Sequence, residues 1–160
     1  MAANTTKIKS TGIICKGNVE KNYEKVPMEV FDYIQLDLIS HTDLVVYMKL
    51  YQYYNVEIGY AYPTIPQLMF LTNVGGKSTI HKSLKNLEIV GLIQKGKTLK
   101  GNNIYVVYKP LDKAELYECV PEKVVKLRER ETDLVAMAEN DKERFHQHML
   151  DKQNEDKDGN

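Results

Sequence analysis

The side chains best placed to do chemistry in this chain are lysines. Residues 73–110 hold seven of them, at 77, 82, 85, 95, 97, 100 and 109, against one acid, Glu88. A segment of charge +6 is suited to meet an anion, and a polyanion above all. The other constellations fail on spacing. Gly76-Lys77-Ser78 imitates the end of a phosphate-binding loop, but the first glycine of that motif would fall on Leu71. His146 and His148 stand two apart, which on a helix turns them to different faces and speaks against a shared metal. Cys15 and Cys119 are too few and too far apart for a disulfide framework or a zinc site, and neither has the neighbours of a nucleophile. No paired-carboxylate, Ser-His-Asp or glycine-rich nucleotide pattern is present. These residues predict a protein that is not an enzyme and takes no metal or cofactor.

The basic block is one part of a segregated chain. The 160 residues carry 22 basic and 22 acidic side chains. Residues 1–27 hold five Lys and two Glu, and residues 28–72 hold one Lys and five acids. Residues 111–160 hold nine basic and fourteen acidic side chains. Apolar runs are far shorter than the roughly 20 residues of a membrane span, and the polar amino terminus lacks the apolar stretch of a signal peptide. A reducing, cytoplasmic setting is the expectation.

The elements that must position the lysines follow from periodicity. Residues 13–16 and 23–26 read as short strands around a Gly17-Asn18 turn. Pro27 opens a short helix with Val30, Phe31, Ile34 and Leu38 on one side. Residues 42–54 form a helix on Leu44, Tyr47, Met48, Leu50 and Tyr51, with Thr42-Asp43 as its polar start. Tyr47, Tyr51 and Tyr54 are expected to pack in the core. Thr64 and Gln67 make a capping box for a helix over 65–71, with Leu68 and Leu71 facing inward and Pro66 harmless in the first turn. After the Asn73–Gly76 turn, Ile80, Leu84 and Leu87 mark a helix that stops at Gly91. Its outer face carries Ser78, Lys82, Lys85 and Ile89, flanked by His81 and Asn86. Residues 92–97 and 104–109 form a hairpin around Gly101-Asn102-Asn103, with Tyr105 and Tyr108 packing on the sheet. A final helix runs over about 121–150 on an interrupted heptad of Val120, Val124, Leu127, Leu134, Ala138 and Phe145, and 151–160 is an expected disordered tail.

Helix, helix, short helix, turn, basic helix, hairpin is the order of a winged helix-turn-helix, in which the second helix of the pair can enter the major groove of DNA. From Tyr23 to Lys109 the sequence resembles a winged-helix module of mobile elements in Gram-positive bacteria. It is similar to the amino-terminal domains of DnaD-like replication proteins and phage replisome organisers. The resemblance is carried by Lys25-Val26-Pro27, by Tyr60-Ala61-Tyr62-Pro63-Thr64, by Lys77-Ser78-Thr79-Ile80-His81-Lys82-Ser83-Leu84, and by Leu87-Glu88 with Gly91-Leu92-Ile93. Met69 departs from the small residue common after the short helix's leucine. Gly75-Gly76 stands where a Ser or Thr cap is usual.

The reading is therefore a mainly α chain with a small β-hairpin: an arm over 1–22, a winged helix-turn-helix over 23–110, a helical segment over 111–150 that either dimerises the chain or folds back on its own domain, and the tail. Lys77, Ser78, Thr79, His81, Lys82 and Lys85 would contact the major groove and its phosphates, and Lys95, Lys97 and Lys100 the flanking backbone. The expected partners are double-stranded DNA and a second copy, with replication or transcription proteins beyond them and no membrane. A transcriptional regulator of a phage, plasmid or integrative element is the first expectation. The alternatives are a replication-initiation or plasmid-maintenance factor and an assembly module that binds no DNA.

Overall fold

The structure, a computed structural model, describes residues 8–158, with side chains through residue 154. Residues 8–25 are exposed and form no helix or strand, with one turn in which the Asn18 amide donates to the Cys15 carbonyl at 3.0 Å, and Val26 is half-buried against the core. The strands expected at 13–16 and 23–26 do not form. Ile13 and Ile14 point into solvent, and a hairpin with no apolar face to bury is not stable alone.

α1 (Val30–Gln35) is short. Its buried stripe is Val30 and Tyr33, continued by Leu36 and Ile39. Phe31, expected on the inner face, is exposed. The Tyr33 hydroxyl decides the rotation, because it accepts the Leu111 amide at 3.0 Å and anchors the chain that follows the hairpin. α2 (His41–Gln52) starts one residue before the expected Thr42. Ser40 caps it reciprocally: its hydroxyl accepts the Asp43 amide at 3.1 Å and the Asp43 carboxylate accepts the Ser40 amide at 2.9 Å. Val46, Tyr47 and Leu50 are buried, whereas Met48 is exposed.

α3 (Ile65–Thr72) carries the capping box read from Thr64 and Gln67, with both bonds present at 2.8 and 3.2 Å. Ile65 and Leu68 are buried and Leu71 is half-buried. Asn73 takes the left-handed conformation (φ 55°), turning the chain into α4 (Lys77–Ile89). Ile80, Leu84 and Leu87 are buried as expected, and Gly91 at φ +77° ends the helix, a conformation that costs glycine nothing.

β1 (Ile93–Lys97) pairs antiparallel with β2 (Asn103–Val107), Lys95 opposite Tyr105 and Lys97 opposite Asn103. Tyr105 is buried, but Tyr108, just beyond the strand, is exposed and donates its hydroxyl to Gln94 Oε1 at 2.6 Å. The connecting turn begins at Thr98 rather than Gly101: the Thr98 amide donates to Asn102 and the Gly101 amide back to Thr98, both at 2.9 Å. Ala61 exchanges two backbone bonds with Tyr105, each 2.8 Å, an isolated antiparallel bridge beside β2. The fold is a mainly helical winged helix with a two-stranded hairpin and a long carboxy-terminal helix.

The core does not close at Pro110. α5 (Lys113–Cys119) buries Leu116 in it, and Val120, Val124 and Leu127 pack against it. Pro121, which has no N–H to continue α5, begins α6 (Pro121–Asp158). The helix passes Leu150, the expected end. Residues 151–158 contain no Gly or Pro and include the good helix formers Lys, Gln and Glu, so nothing stops it. No described helix is long and apolar enough to cross a membrane.

Candidate functional site

The site is built on α4 because the helix is amphipathic in a useful way. Ile80, Ser83, Leu84 and Leu87 seat it on α2 and α3, which leaves Lys77, Ser78, Thr79, His81, Lys82 and Lys85 exposed on the other side. The hairpin follows immediately, since only Val90–Leu92 separate the two elements. Lys95 and Lys97 on β1, and Lys100 on the turn, are exposed beside it. His81 from the helix and Lys95, Gly96 and Lys97 from the strand line one open groove, floored by Leu84 and Tyr105. The structure thus brings His81, Lys95 and Lys97 of the expected site to one groove, while Lys77, Ser78, Thr79, Lys82, Lys85 and Lys100 are exposed outside it.

Glu88, the single acid of this region, does not neutralise that surface through a lysine side chain. Its carboxylate accepts the Lys95 backbone amide at 2.7 Å, which fixes the strand against the helix. Among the described residues, none of the lysines at 77, 82, 85, 95, 97, 100 and 109 has an ion-pair partner; the pairs are Lys123–Asp37, Arg128–Glu131 and Arg144–Asp141. Unpaired lysines remain available to a polyanion without the cost of breaking an internal bridge.

The start of α4 adds donors. Gly76 occupies the N-cap position and makes no side-chain cap bond, so the first amides of the helix have no partner from that residue. A helix terminus in this state favours negative charge.

Asn86 is not on the outer edge where the helical wheel placed it. It is half-buried and turned towards α2, where its amide donates to Asp43 at 2.6 Å and to the Leu38 carbonyl at 3.2 Å. Sequence reasoning missed this tie and the one made by Glu88. A lone acid inside a basic block was the available sign for Glu88; no local pattern pairs Asn86 with a residue 43 positions away.

The helix-turn-helix domain family matches residues 37–93, which run from the turn after α1 through α2, α3 and α4 into β1. This segment is similar to helix-turn-helix domains, in keeping with its winged-helix fold. The match supports the module and does not single out the DnaD-like family. No curated protein matches the chain. A solved structure described as "N-Terminal domain of DNA binding protein" is similar, with a TM-score of 0.49 and 20% identity over 72% of this chain and 96% of that one.

Proposed function

We propose that this protein binds double-stranded DNA through the exposed face of α4 and the adjoining hairpin. The observation that carries the reading is the acid-poor surface of lysines without ion-pair partners on the second helix of a helix-turn-helix. In such modules that helix lies in the major groove. Ser78, Thr79, His81 and Lys82 are short enough or long enough to reach base edges there. Lys77, Lys85, Lys95, Lys97 and Lys100 hold phosphates, which supply affinity and register rather than sequence preference. The uncapped start of α4 accepts a backbone phosphate.

The protein acts in this reading as a homodimeric, cytoplasmic transcriptional regulator of a phage, plasmid or integrative element, without catalysis and without a cofactor. The motifs shared with DnaD-like domains favour a second reading, binding at a replication origin and recruitment of replication proteins. Mapping the bound sites across a genome separates the two: occupancy of its own promoter supports regulation, and occupancy of an origin supports replication. Gel shift with a duplex recovered from that map tests the DNA reading itself. Binding that is absent at about 50 mM salt overturns it, since the phosphate term is strong at that ionic strength.

A further inference from the structure

α6 seats on its own domain by one face and leaves the continuation of that face bare. Val120, Val124 and Leu127 pack against the core. On the same stripe, further along, Leu134 is 48% exposed, Phe145 66% and Met149 43%. The stripe follows a heptad in which 124, 131, 138 and 145 take one inner position and 127, 134, 141 and 148 the other. A groove beside Leu127 and Leu134, closed on its far side by Ile34, Ile39 and Tyr117, continues the packed face outward.

Two copies can pair along this stripe in two directions, and the polar inner residues choose between them. A parallel pair sets each inner residue against itself: Glu131 on Glu131, Asp141 on Asp141 and His148 on His148. Like charges in an inner seam are destabilising, even with Arg128 and Arg144 beside the two acids on their own helix. An antiparallel pair matches residues whose numbers sum to 279. Leu134 then meets Phe145, the small Ala138 meets Asp141, and Glu131 meets His148, each pair occurring twice by symmetry. On the flank, Arg130 meets Met149. Every inner acid gains a donor or a small neighbour, and the two largest apolar residues of the stripe meet each other.

We infer that α6 is an antiparallel homodimerisation helix, in which Phe145 and Met149 of one copy fill the groove beside Leu127 and Leu134 of the other. This deepens the homodimer of the proposed function and rests on it. The two Pro121 positions, where the winged helices attach, then stand roughly 55 Å apart along the pair at 1.5 Å per residue, more than the ~34 Å of one DNA turn. The dimer would engage half-sites more widely spaced than a one-turn palindrome.

The test uses the full chain with Cys15→Ser and Cys119→Ser, both natural cysteines being exposed. Single spin labels are placed on Glu122→Cys and, separately, on Glu143→Cys, and light scattering is run on the same samples. A dimer with an interlabel distance of roughly 50 Å or more for Glu122→Cys, and a much shorter one for Glu143→Cys, is the expected result. A dimer with similar short distances at both sites overturns the antiparallel pairing and leaves the homodimer standing. A monomer at labelling concentrations overturns both. Leu134→Asp with Phe145→Asp should give a monomer whose winged helix still melts cooperatively; a persisting dimer would place the interface elsewhere and refute the proposal.

Discussion

Asn86 on α4 donates its side-chain amide to the buried carboxylate of Asp43 on α2, at 2.6 Å. Asp43 is 5% exposed and also accepts the Ser40 amide, so one carboxylate caps α2 and holds α4 against it. The bond ties α4, which carries the lysines at 77, 82 and 85, to the start of α2. Asn86→Ala strands part of a buried carboxylate and should cost about 1–3 kcal/mol in urea unfolding. A loss below about 0.5 kcal/mol would mean that apolar packing alone sets the helix.

Tyr47 makes a comparable tie from α2 to the end of the hairpin, donating its hydroxyl to the Tyr108 carbonyl at 2.8 Å. Burial first, then the neighbouring Tyr51 and Tyr33, push its phenol from 10.0 up to about 12. The unfolded chain therefore loses this proton first as pH rises. The stabilising contribution is fully present below pH 10 and is lost between pH 10 and about 12, a change of about 3 kcal/mol. Burial raises Tyr33 and Tyr105 as well, and they act in the same direction. Tyr47→Phe should lower stability at neutral pH by about 1 kcal/mol and make the fall above pH 10 shallower. An unchanged alkaline profile would exclude Tyr47 as a source of it.

Lysines on α4 and on the hairpin should separate in their effects on DNA. Lys82→Ala with Lys85→Ala should weaken binding to a natural site in gel shift; parental affinity would remove α4 from the interface. Lys97→Ala with Lys100→Ala should weaken all sequences about equally and reduce the salt slope by about 2, one for each phosphate contact. An unchanged slope would remove the hairpin.

Gly76 offers a test in which stability and binding move in opposite directions. Its backbone is extended, and an added Cβ would lie 3.7 Å from the Ser78 and Thr79 hydroxyls, an ordinary contact. Gly76→Asp should cap α4 and raise stability by about a few tenths of a kcal/mol. The same carboxylate would occupy the amides offered to phosphate and repel it, so DNA affinity should fall. Affinity equal to the parent's would place the phosphate elsewhere.

Local signals in the amino-acid sequence determined the elements that depend only on near neighbours. The Thr64–Gln67 box, the Asn73–Gly76 turn, the inner stripe of Ile80, Leu84 and Leu87 and the stop at Gly91 each rest on residues a few positions apart, and the structure has all of them. The basic surface was legible for the same reason, because lysines on a solvent face need no partner to be placed.

Tertiary structure decided whatever depended on a distant partner. Phe31 yielded the inner face of α1 to Tyr33, whose hydroxyl reaches Leu111, and Asn86 left the outer face of α4 for Asp43. Residues 13–16 have strand-like composition but form no strand, whereas Ala61 makes an isolated bridge because Tyr105 lies beside it. The core extended to Leu116 for the same reason. Periodicity records what a residue prefers among its neighbours in the chain; which face is buried, and which backbone is paired, is set by long-range contacts that form only when the chain has folded.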